Sequence, residues 1–557
     1  MIANTLVYIF YFIFLFLSIL GYGIFIFYLL NINWRKLSLG LSGLAGLFFV
    51  TFISYVTHIF LSHNYFHNIT LHILGFCLLV FMLKKNSYFF KVNKIFLSII
   101  LFISSLFISK NHEDFPYYHL PYMIHVVENK LQFGIGLLNI AFSTPSSLFY
   151  LQSTFYLPYI DFYLFHSANL ITLIFANIFF IDYFTSSKKI FFIRILASLS
   201  FVFINISFSR IGGFGTDRAG QIISFVIFLL LLEYLNNKKK EPSLEKIKIL
   251  IILIFYIITI KSYFFPYLLL LPLLLIIKFK MLKKIFYDFK IMSLLTIFFL
   301  IFLFINFSNS GCLLYPVKYT CFDNFSWSVS SKAAEHYSSW YELWSKAGAT
   351  PNYRVEDPEQ YIKFLNWVPN WINSYFLGKG LDVTLIISLI TVIYFFSLKK
   401  KINMTKNKFY VVYFFLITLF LIWFNKHPDL RYGGYVVYAL LFFIPLSNYL
   451  SKFSKVNKKT SKFFFIMAIL TIVIFNFKNL LRIRNEFIDQ RELYSFKNFP
   501  FFNVRSPEYK IIILNDNSRA YLVTTDKCWA TPSPCLDGDI KRKTLNNYQI
   551  YYRRHIE

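Results

Sequence analysis

Stretches of roughly 20 consecutive apolar residues recur along this chain from its first residues to about residue 478, each divided from the next by a short polar connection. A run of that length crosses the hydrocarbon of a bilayer as a helix, because a helix satisfies its own backbone polar groups where no water can. The 557 residues are 57% hydrophobic and only 15% charged, against about a quarter charged in an ordinary soluble chain. A soluble fold could not bury that much apolar surface. The 72 Phe and 40 Tyr are spread along the whole chain, so an aromatic stripe by itself carries little functional signal. Residues 1–30 resemble a signal peptide, but the apolar run is too long and no small-residue cleavage site follows it. They read as the first membrane helix.

The hydropathy pattern predicts spans at about 5–30, 38–60, 67–83, 94–109, 162–183, 190–208, 219–235, 248–260, 263–277, 291–308, 380–397, 409–424, 434–450 and 463–478. The expected fold class is an all-α polytopic membrane protein. It has about 14 transmembrane helices, interfacial helices and a small extracytoplasmic C-terminal α+β segment. A formal charge of +29 would suit nucleic acid, but the positions of the cations exclude that partner. They fill alternate connections: Arg35 and Lys36; Lys84, Lys85, Lys91 and Lys94; Lys188 and Lys189; Lys238 to Lys240, Lys246 and Lys248. The series continues with Lys278, Lys280, Lys283, Lys284 and Lys290; Lys399 to Lys401, Lys406 and Lys408; and Lys452, Lys455, Lys458, Lys459 and Lys462. Positive charge on one side of a bundle marks the cytoplasmic side.

Three long segments, about 110–161, 309–379 and 479–557, then lie outside. Cys312 and Cys321 fall in the second and Cys528 and Cys535 in the third, whereas Cys77 sits in an apolar span. Close pairs in an oxidising compartment form disulfides. Zinc is the weaker reading of these four, since neither pair has C-x-x-C spacing or neighbouring histidines. The first outer segment, with its glycines, prolines and serines over 117–160, suits amphipathic helices lying on the membrane. The second, with Trp327, Trp340, Trp344, Trp367 and Trp371, suits a cap at the interface. The third reads as short strands over 509–514 and 520–524.

Charges other than the clustered lysines are scarce, which makes the exceptions informative. Asn111, His112, Glu113, Asp114, Phe115, Pro116, Tyr117, Tyr118, His119, Leu120 and Pro121 follow the fourth span. Here Glu113 and Asp114 are candidate catalytic groups. A carboxylate can take a proton from a hydroxyl, or hold a divalent metal that steadies a phosphate; which cofactor, if any, is unknown. The bland alternative is a solvated acidic pair at the membrane surface. His119 and Tyr118 are candidate substrate contacts. Arg210, Asp217 and Arg218 flank a glycine-rich turn, and guanidinium groups suit phosphate. Lys261 lies between two closely spaced spans, where snorkelling is the alternative. Lys426, His427 and Arg431 occupy a third connection. All can converge because helix ends on one side of a bundle share a face. His58, His63, His67 and His72 read as packing residues, and Arg542, Arg553 and Arg554 as solvated surface. No nucleotide-binding glycine motif and no H-E-x-x-H occurs.

An acidic pair in an outer loop just after a helix resembles the GT-C superfamily of membrane glycosyltransferases. The stretch from His112 to Pro121 also resembles an uncharacterised bacterial family of large membrane proteins. The resemblance implies a glycosyltransferase of the bacterial inner membrane. It would transfer sugar from a polyprenyl-phosphate donor to a glycan, lipid or protein acceptor of the cell envelope. Glu113 and Asp114 would match the acidic loop, and basic residues of neighbouring loops would hold the lipid phosphate. It divides the chain into N-terminal helices (1–93), a GT-C-like bundle (94–478) and a small outer domain (479–557). Two features depart from that pattern: further spans precede the acidic loop here, and the C-terminal segment is small. The competing readings are an O-antigen polymerase or ligase, which depends on Arg and His, and a lipid-linked oligosaccharide flippase or other transporter. A transporter keeps ionisable groups at the midplane and often shows internal repeats, and this chain shows neither.

Overall fold

The computed structural model describes all residues except 85–91, 109–111, 237–243, 351–352, 399–407, 454–457, 489–493, 506, 526, 537–539 and 554–557. Asn111, Arg554 and the basic residues Lys85, Lys91, Lys238 to Lys240, Lys399 to Lys401, Lys406 and Lys455 lie outside the described residues. The helices run α1 (Ile2–Leu29), α2 (Leu39–Phe60), α3 (Tyr65–Lys84), α4 (Val92–Phe102), α5 (Leu120–Glu128), α6 (Ser147–Ser153), α7 (Ser167–Thr185), α8 (Phe191–Ser207), α9 (Asp217–Asn236) and α10 (Leu244–Ile260). They continue as α11 (Leu270–Phe286), α12 (Phe289–Ser310), α13 (Ser331–Ser345), α14 (Pro358–Ile362), α15 (Val368–Trp371), α16 (Leu381–Leu398), α17 (Tyr410–Lys426), α18 (Tyr435–Phe453) and α19 (Lys458–Ile488).

Among the described residues, nine helical stretches are long and apolar enough to cross a membrane: α1, α2, α3, Phe162–Thr185, α9, α12, Val368–Leu398, Leu430–Lys452 and Lys459–Ile488. The other five expected spans are shorter. Over 94–109 the chain forms the 11-residue α4 and a 3-10 turn, and α8, α10 and α17 have 17 residues each. Over 263–277 the helix begins in a 3-10 segment, Ser262–Leu269, that contains Pro266. A 17-residue helix is about 25 Å long, short of a hydrocarbon core of about 30 Å. Apolar composition runs on through these breaks, which is why hydropathy reads them as full spans.

Side-chain contacts nevertheless give the bundle two distinct ends. Lys189 before α8, Glu233 near the end of α9 and Lys246 in α10 form one ion-paired group, Lys246 Nζ lying 2.9 Å from Glu233. At the opposite ends of these helices, Asp217 at the start of α9 pairs with Lys261 just after α10, at 3.7 Å. Asn236, ending α9, donates to the carbonyl of Lys408 before α17 at 2.9 Å. Lys248 in α10 is ion-paired with Asp288 before α12.

One continuous buried core extends from Tyr8 in α1 to Tyr551 near the C-terminus. Helices approach closely where small residues meet, as membrane helices do in the absence of a water-driven force. A Cβ on Gly23 of α1 would run into the Ser42 carbonyl of α2.

The outer segments depart from the surface arrangement expected of them. Every residue of α6 is buried, as is every residue of α5 except Glu128. An apolar helix buried all round is a core element, so these short helices plug the bundle end instead of lying flat on a membrane. Trp367 and Trp371 are likewise buried, packed against Phe424. A two-stranded ladder joins β1 (Ala349–Thr350) to β2 (Tyr353–Arg354).

The C-terminal segment is strand-rich. Antiparallel β3 (Tyr509–Ile513) and β4 (Arg519–Val523), with β5 (Cys535–Leu536) parallel to β4, form one sheet. A hairpin of β6 (Lys541–Leu545) and β7 (Tyr548–Tyr552) forms another. Asn546 and Asn547 turn this hairpin with φ of 48° and 67°, the left-handed region asparagine tolerates and tight hairpins require. Phe133 extends the hairpin through a parallel bridge to Ile550. Cys312–Cys321 and Cys528–Cys535 are disulfide-bonded, and Cys77 is free and exposed. Arg542 is buried instead of solvated: its Nε lies 2.7 Å from Asp516 and its side chain stacks on Tyr551.

Candidate functional site

The turn after residue 111 is shaped by its prolines and by its own polar groups. Phe115–His119 forms a single π-helical turn with Pro116 in its first positions, and it runs directly into α5. The Phe115 N–H donates to the His112 carbonyl at 3.0 Å. Proline is tolerated there because the first N–H groups of a helix lack intrahelical partners. The result presents Asp114 half-buried at the bundle end while His119 is drawn inside.

Asp114 Oδ2 lies 3.1 Å from His112 Nδ1 and 3.9 Å from Arg431 Nη1. Burial works against the carboxylate charge, but the His112 hydrogen bond, followed by the fields of His119 and His112 and last that of Arg431, outweighs it and holds the carboxyl down to about 2. The same hydrogen bond pushes the His112 imidazole up from its ordinary value. His119 behaves oppositely: burial drives it down to about 3, against the pull of Asp114, so its ring is neutral at physiological pH. Glu113 is exposed, and among the described residues it forms no ion pair. The two adjacent carboxylates are therefore physically unlike, and Asp114 is the one held in the site.

Three further connections reach this turn. Arg431 follows a chain break between α17 and α18, where Gly433 has a φ of 90° that favours glycine. Asp429 caps that break by accepting from the Arg431 N–H at 2.9 Å and from the Tyr375 hydroxyl at 2.8 Å. The Arg431 guanidinium stacks 4.6 Å from the Trp344 ring and donates to the Tyr432 hydroxyl at 2.9 Å. Its Nε is buried with no hydrogen-bond acceptor among the described residues. Asp217 and Lys261 form the pair described above, and the Tyr263 hydroxyl donates to the Asp217 carbonyl at 3.4 Å. The fields of Asp114, Lys261 and Asp217 all act on His119, and those of Asp114, Asp217 and Arg431 on Tyr118. Asp114, Tyr118, His119, Asp217, Lys261 and Arg431 thus share one locality.

Arg210 and Arg218 belong to a second group. Their partner is Arg482 near the end of α19, whose charge is felt together with theirs. Arg482 Nη1 is buried without an acceptor among the described residues, and Glu486, one turn on, is the acidic neighbour. The three guanidinium groups have two acidic neighbours, Asp217 beside Arg218 and Glu486 beside Arg482, which leaves a net positive field. Lys426 and His427 form a third group. Lys426 is exposed and lies 3.6 Å from Glu342, which also binds Lys346, while His427 Nδ1 faces the Ser345 hydroxyl at 3.4 Å. They face α13 and not Asp114.

Sequence reasoning did not single out Arg482, Trp344 or the role of His112. The only signal for Arg482 was a pair of arginines, Arg482 and Arg484, just past the last apolar run. The four histidines of the α2–α3 hairpin are structural, as expected. His63 Nδ1 lies 2.7 Å from the Ser153 hydroxyl and His67 Nε2 lies 2.9 Å from that of Thr57. Among the described residues, no three His, Cys, Asp or Glu side chains come together as a metal ion would need. The groups nearest Asp114 are the His112 imidazole at 3.1 Å and the Arg431 guanidinium at 3.9 Å, not a second carboxylate, and the cation beside it works against a resident divalent metal.

The family described as a domain of unknown function (DUF8201) matches residues 6–438 of the chain. The protein belongs to this family. The matched region takes in Asp114, Asp217, Lys261 and Arg431 and stops short of Arg482 and the C-terminal strands. No curated protein and no solved structure matches the chain.

Proposed function

We propose that this protein is a membrane glycosyltransferase of the GT-C type. It moves a sugar from a polyprenyl-phosphate donor to a cell-envelope glycan, lipid or protein acceptor on the outer face of the bacterial inner membrane. On this reading the lysine-bearing end of the bundle is cytoplasmic, and the Asp114 end and the C-terminal strands face outward. The five shorter helices run between the same two ends and complete fourteen crossings.

The observation that carries the reading is the ionised Asp114 held 3.9 Å from Arg431, with the Arg210, Arg218 and Arg482 group also formed from helix ends and connecting loops. In the transfer, the acceptor oxygen bonds to the anomeric carbon as the bond from that carbon to the phosphate oxygen breaks. The hydroxyl proton passes to Asp114, and the phosphate leaves with the bonding electron pair, facing the arginines. A carboxyl held near 2 is a weak base at rest. Arg431 is one of the groups that lower Asp114, so its turning to the donor phosphate raises the proton affinity of the carboxylate by that share. No step runs through a metal.

The three-arginine group favours one second reading, an O-antigen polymerase or ligase. The two differ in their need for Asp114. Transfer from a defined polyprenyl-phosphate sugar, assayed with purified protein in liposomes, tests the choice: full activity in Asp114→Asn would rule out the carboxylate base. Mass spectrometry of surface glycans and lipid-linked sugars in a deletion strain would identify the sugar.

A further inference from the structure

An open cleft of about 550 Å³ lies between the N-terminus of α1, the 3-10 turn Phe162–Leu164 and the C-terminal segment. Its walls carry Phe162, Tyr163, Phe501 and Phe502 together with the amides of Asn4 and Asn498. None of its lining side chains is a lysine, arginine, aspartate or glutamate, in a chain with 56 basic and 27 acidic residues. The volume lies in the range of ligand pockets, which combine ring surfaces with a few orienting polar groups.

The rings form a set of adjoining faces. Tyr163 lies 4.5 Å from Phe162, 5.0 Å from Phe501 and 5.1 Å from Phe502, centroid to centroid. Neither the Asn4 nor the Asn498 side chain has a hydrogen-bond partner among the described residues. Each therefore offers both a donor and an acceptor to a ligand. A lipid tail would leave those amides unused, and an anion would find no cation. A pyranose matches both features. Its axial C–H face lies over an aromatic ring, and its hydroxyls pair with amides that both give and accept hydrogen bonds.

The wall of the cleft also packs against the candidate site. Phe502, on the cleft wall, packs 6.3 Å from Phe115 and 6.4 Å from Phe214. Phe115 directly follows Asp114, and Phe214 lies in the glycine-rich turn before Asp217. We infer that this cleft binds a neutral saccharide chain, the acceptor whose end is presented to Asp114. The word acceptor rests on the glycosyltransferase reading; the saccharide class rests on the lining alone.

Full-length protein in nanodiscs tests this by saturation-transfer NMR. The probes are neutral gluco-, manno- and N-acetylglucosamine oligomers, neutral oligosaccharides released from the envelope of the source cell, an acidic uronate oligomer and a short apolar peptide. At least one neutral oligosaccharide binds, and Phe501→Ala weakens it about three- to tenfold, the loss of one stacked ring. Asn498→Ala, on an exposed side chain, gives a comparable loss and covers the case in which the ring variant misfolds. Binding of no neutral saccharide overturns the inference, as does binding of only the uronate or the peptide, or unchanged saccharide binding in both variants. Asp114→Asn separates the two readings. If it binds saccharide normally and still transfers at the wild-type rate, the cleft stands and the carboxylate base falls. If it loses transfer while no saccharide binds the wild type, the base stands and the cleft falls.

Discussion

The backbone N–H of Trp529 donates to the carbonyl of Pro116 at 3.0 Å. A residue near the end of the chain thus clamps the turn that carries Asp114. The same contact is reinforced by the Trp529 ring, 6.2 Å from Phe115 and edge-on to it. The His125 ring, at 2.6 Å from the Ser533 hydroxyl, reinforces it too. The C-terminal strands therefore support the candidate site and are not an appendage to it.

That support depends on the Cys528–Cys535 bridge beside Trp529. Replacing both cysteines with serine should destabilise the C-terminal segment by about 2–3 kcal/mol, the loop-closure value for so short a ring. Hydrogen exchange should rise over both 528–536 and 114–119. Faster exchange in the strands alone would show that the clamp is not transmitted.

Asp114 and Glu113 should separate cleanly. Asp114→Asn removes the held carboxylate and should lower transfer about 10²–10⁴-fold, whereas Glu113→Gln, on an exposed side chain, should stay within about twofold. Arg431→Lys should recover only part of the loss seen in Arg431→Ala, because stacking on Trp344 and the forked donors both go. Steady-state rates in liposomes with a defined lipid donor check all four variants.

The His112–Asp114 pair sets a pH window. His112 is raised above its ordinary 6.5, so its contribution is fully present below that value and is lost as pH rises through the raised one. Asp114 is lowered from 3.8 to about 2, so its contribution is present above 3.8 and is lost as pH falls toward 2. The protection factor of the 112–119 amides, their exchange rate taken against the intrinsic rate at each pH, should therefore be highest between about pH 4 and 6.5 and fall on either side. His112→Gln should abolish the alkaline limb; an unchanged limb would exclude the pair as its source.

Arg482 should matter to the donor despite lying far along the chain from the acidic turn. Arg482→Ala should raise the KM for a polyprenyl-phosphate sugar by roughly 10–100-fold, the range for a lost charged hydrogen bond. Arg482→Lys should restore part of it. An unchanged KM would make the arginine group structural.

Orientation can be read with a membrane-impermeant thiol reagent on intact cells, in a Cys77→Ser background. Cysteine placed at Ser339 or Lys510 should label from outside, and cysteine at Lys188 should not. Labelling at position 188 would reverse the bundle.

Much of this was legible in the chain because one-dimensional signals carry it. Apolar runs and lysine connections mark the helices, and the alternation over 509–513 marks β3. The close spacing of the cysteines foretold both disulfides. Other features depend on partners distant in sequence. Nothing local says that α6 is enclosed on all sides, or that Arg482 joins Arg210 and Arg218. The Asn546–Asn547 turn is a hairpin signal in the chain itself, since asparagine tolerates the left-handed φ of 48° and 67° found there. The helices of 17 residues or fewer read as full-length spans for a simpler reason: hydropathy does not register a 3-10 segment or a helix end inside an apolar run.

Phe133 donates to the Gln549 carbonyl and accepts from the Tyr551 N–H, each at 2.9 Å, so the segment after α5 is closed by β7. The turn at Pro116 leaves the ribosome some four hundred residues before Trp529 does, an interval of roughly 20–80 s at about 5–20 residues per second. Throughout that interval the turn that carries Asp114 is without this clamp. A stop between residues 489 and 528 would leave every described helix in place and the Asp114 turn without its Trp529 clamp.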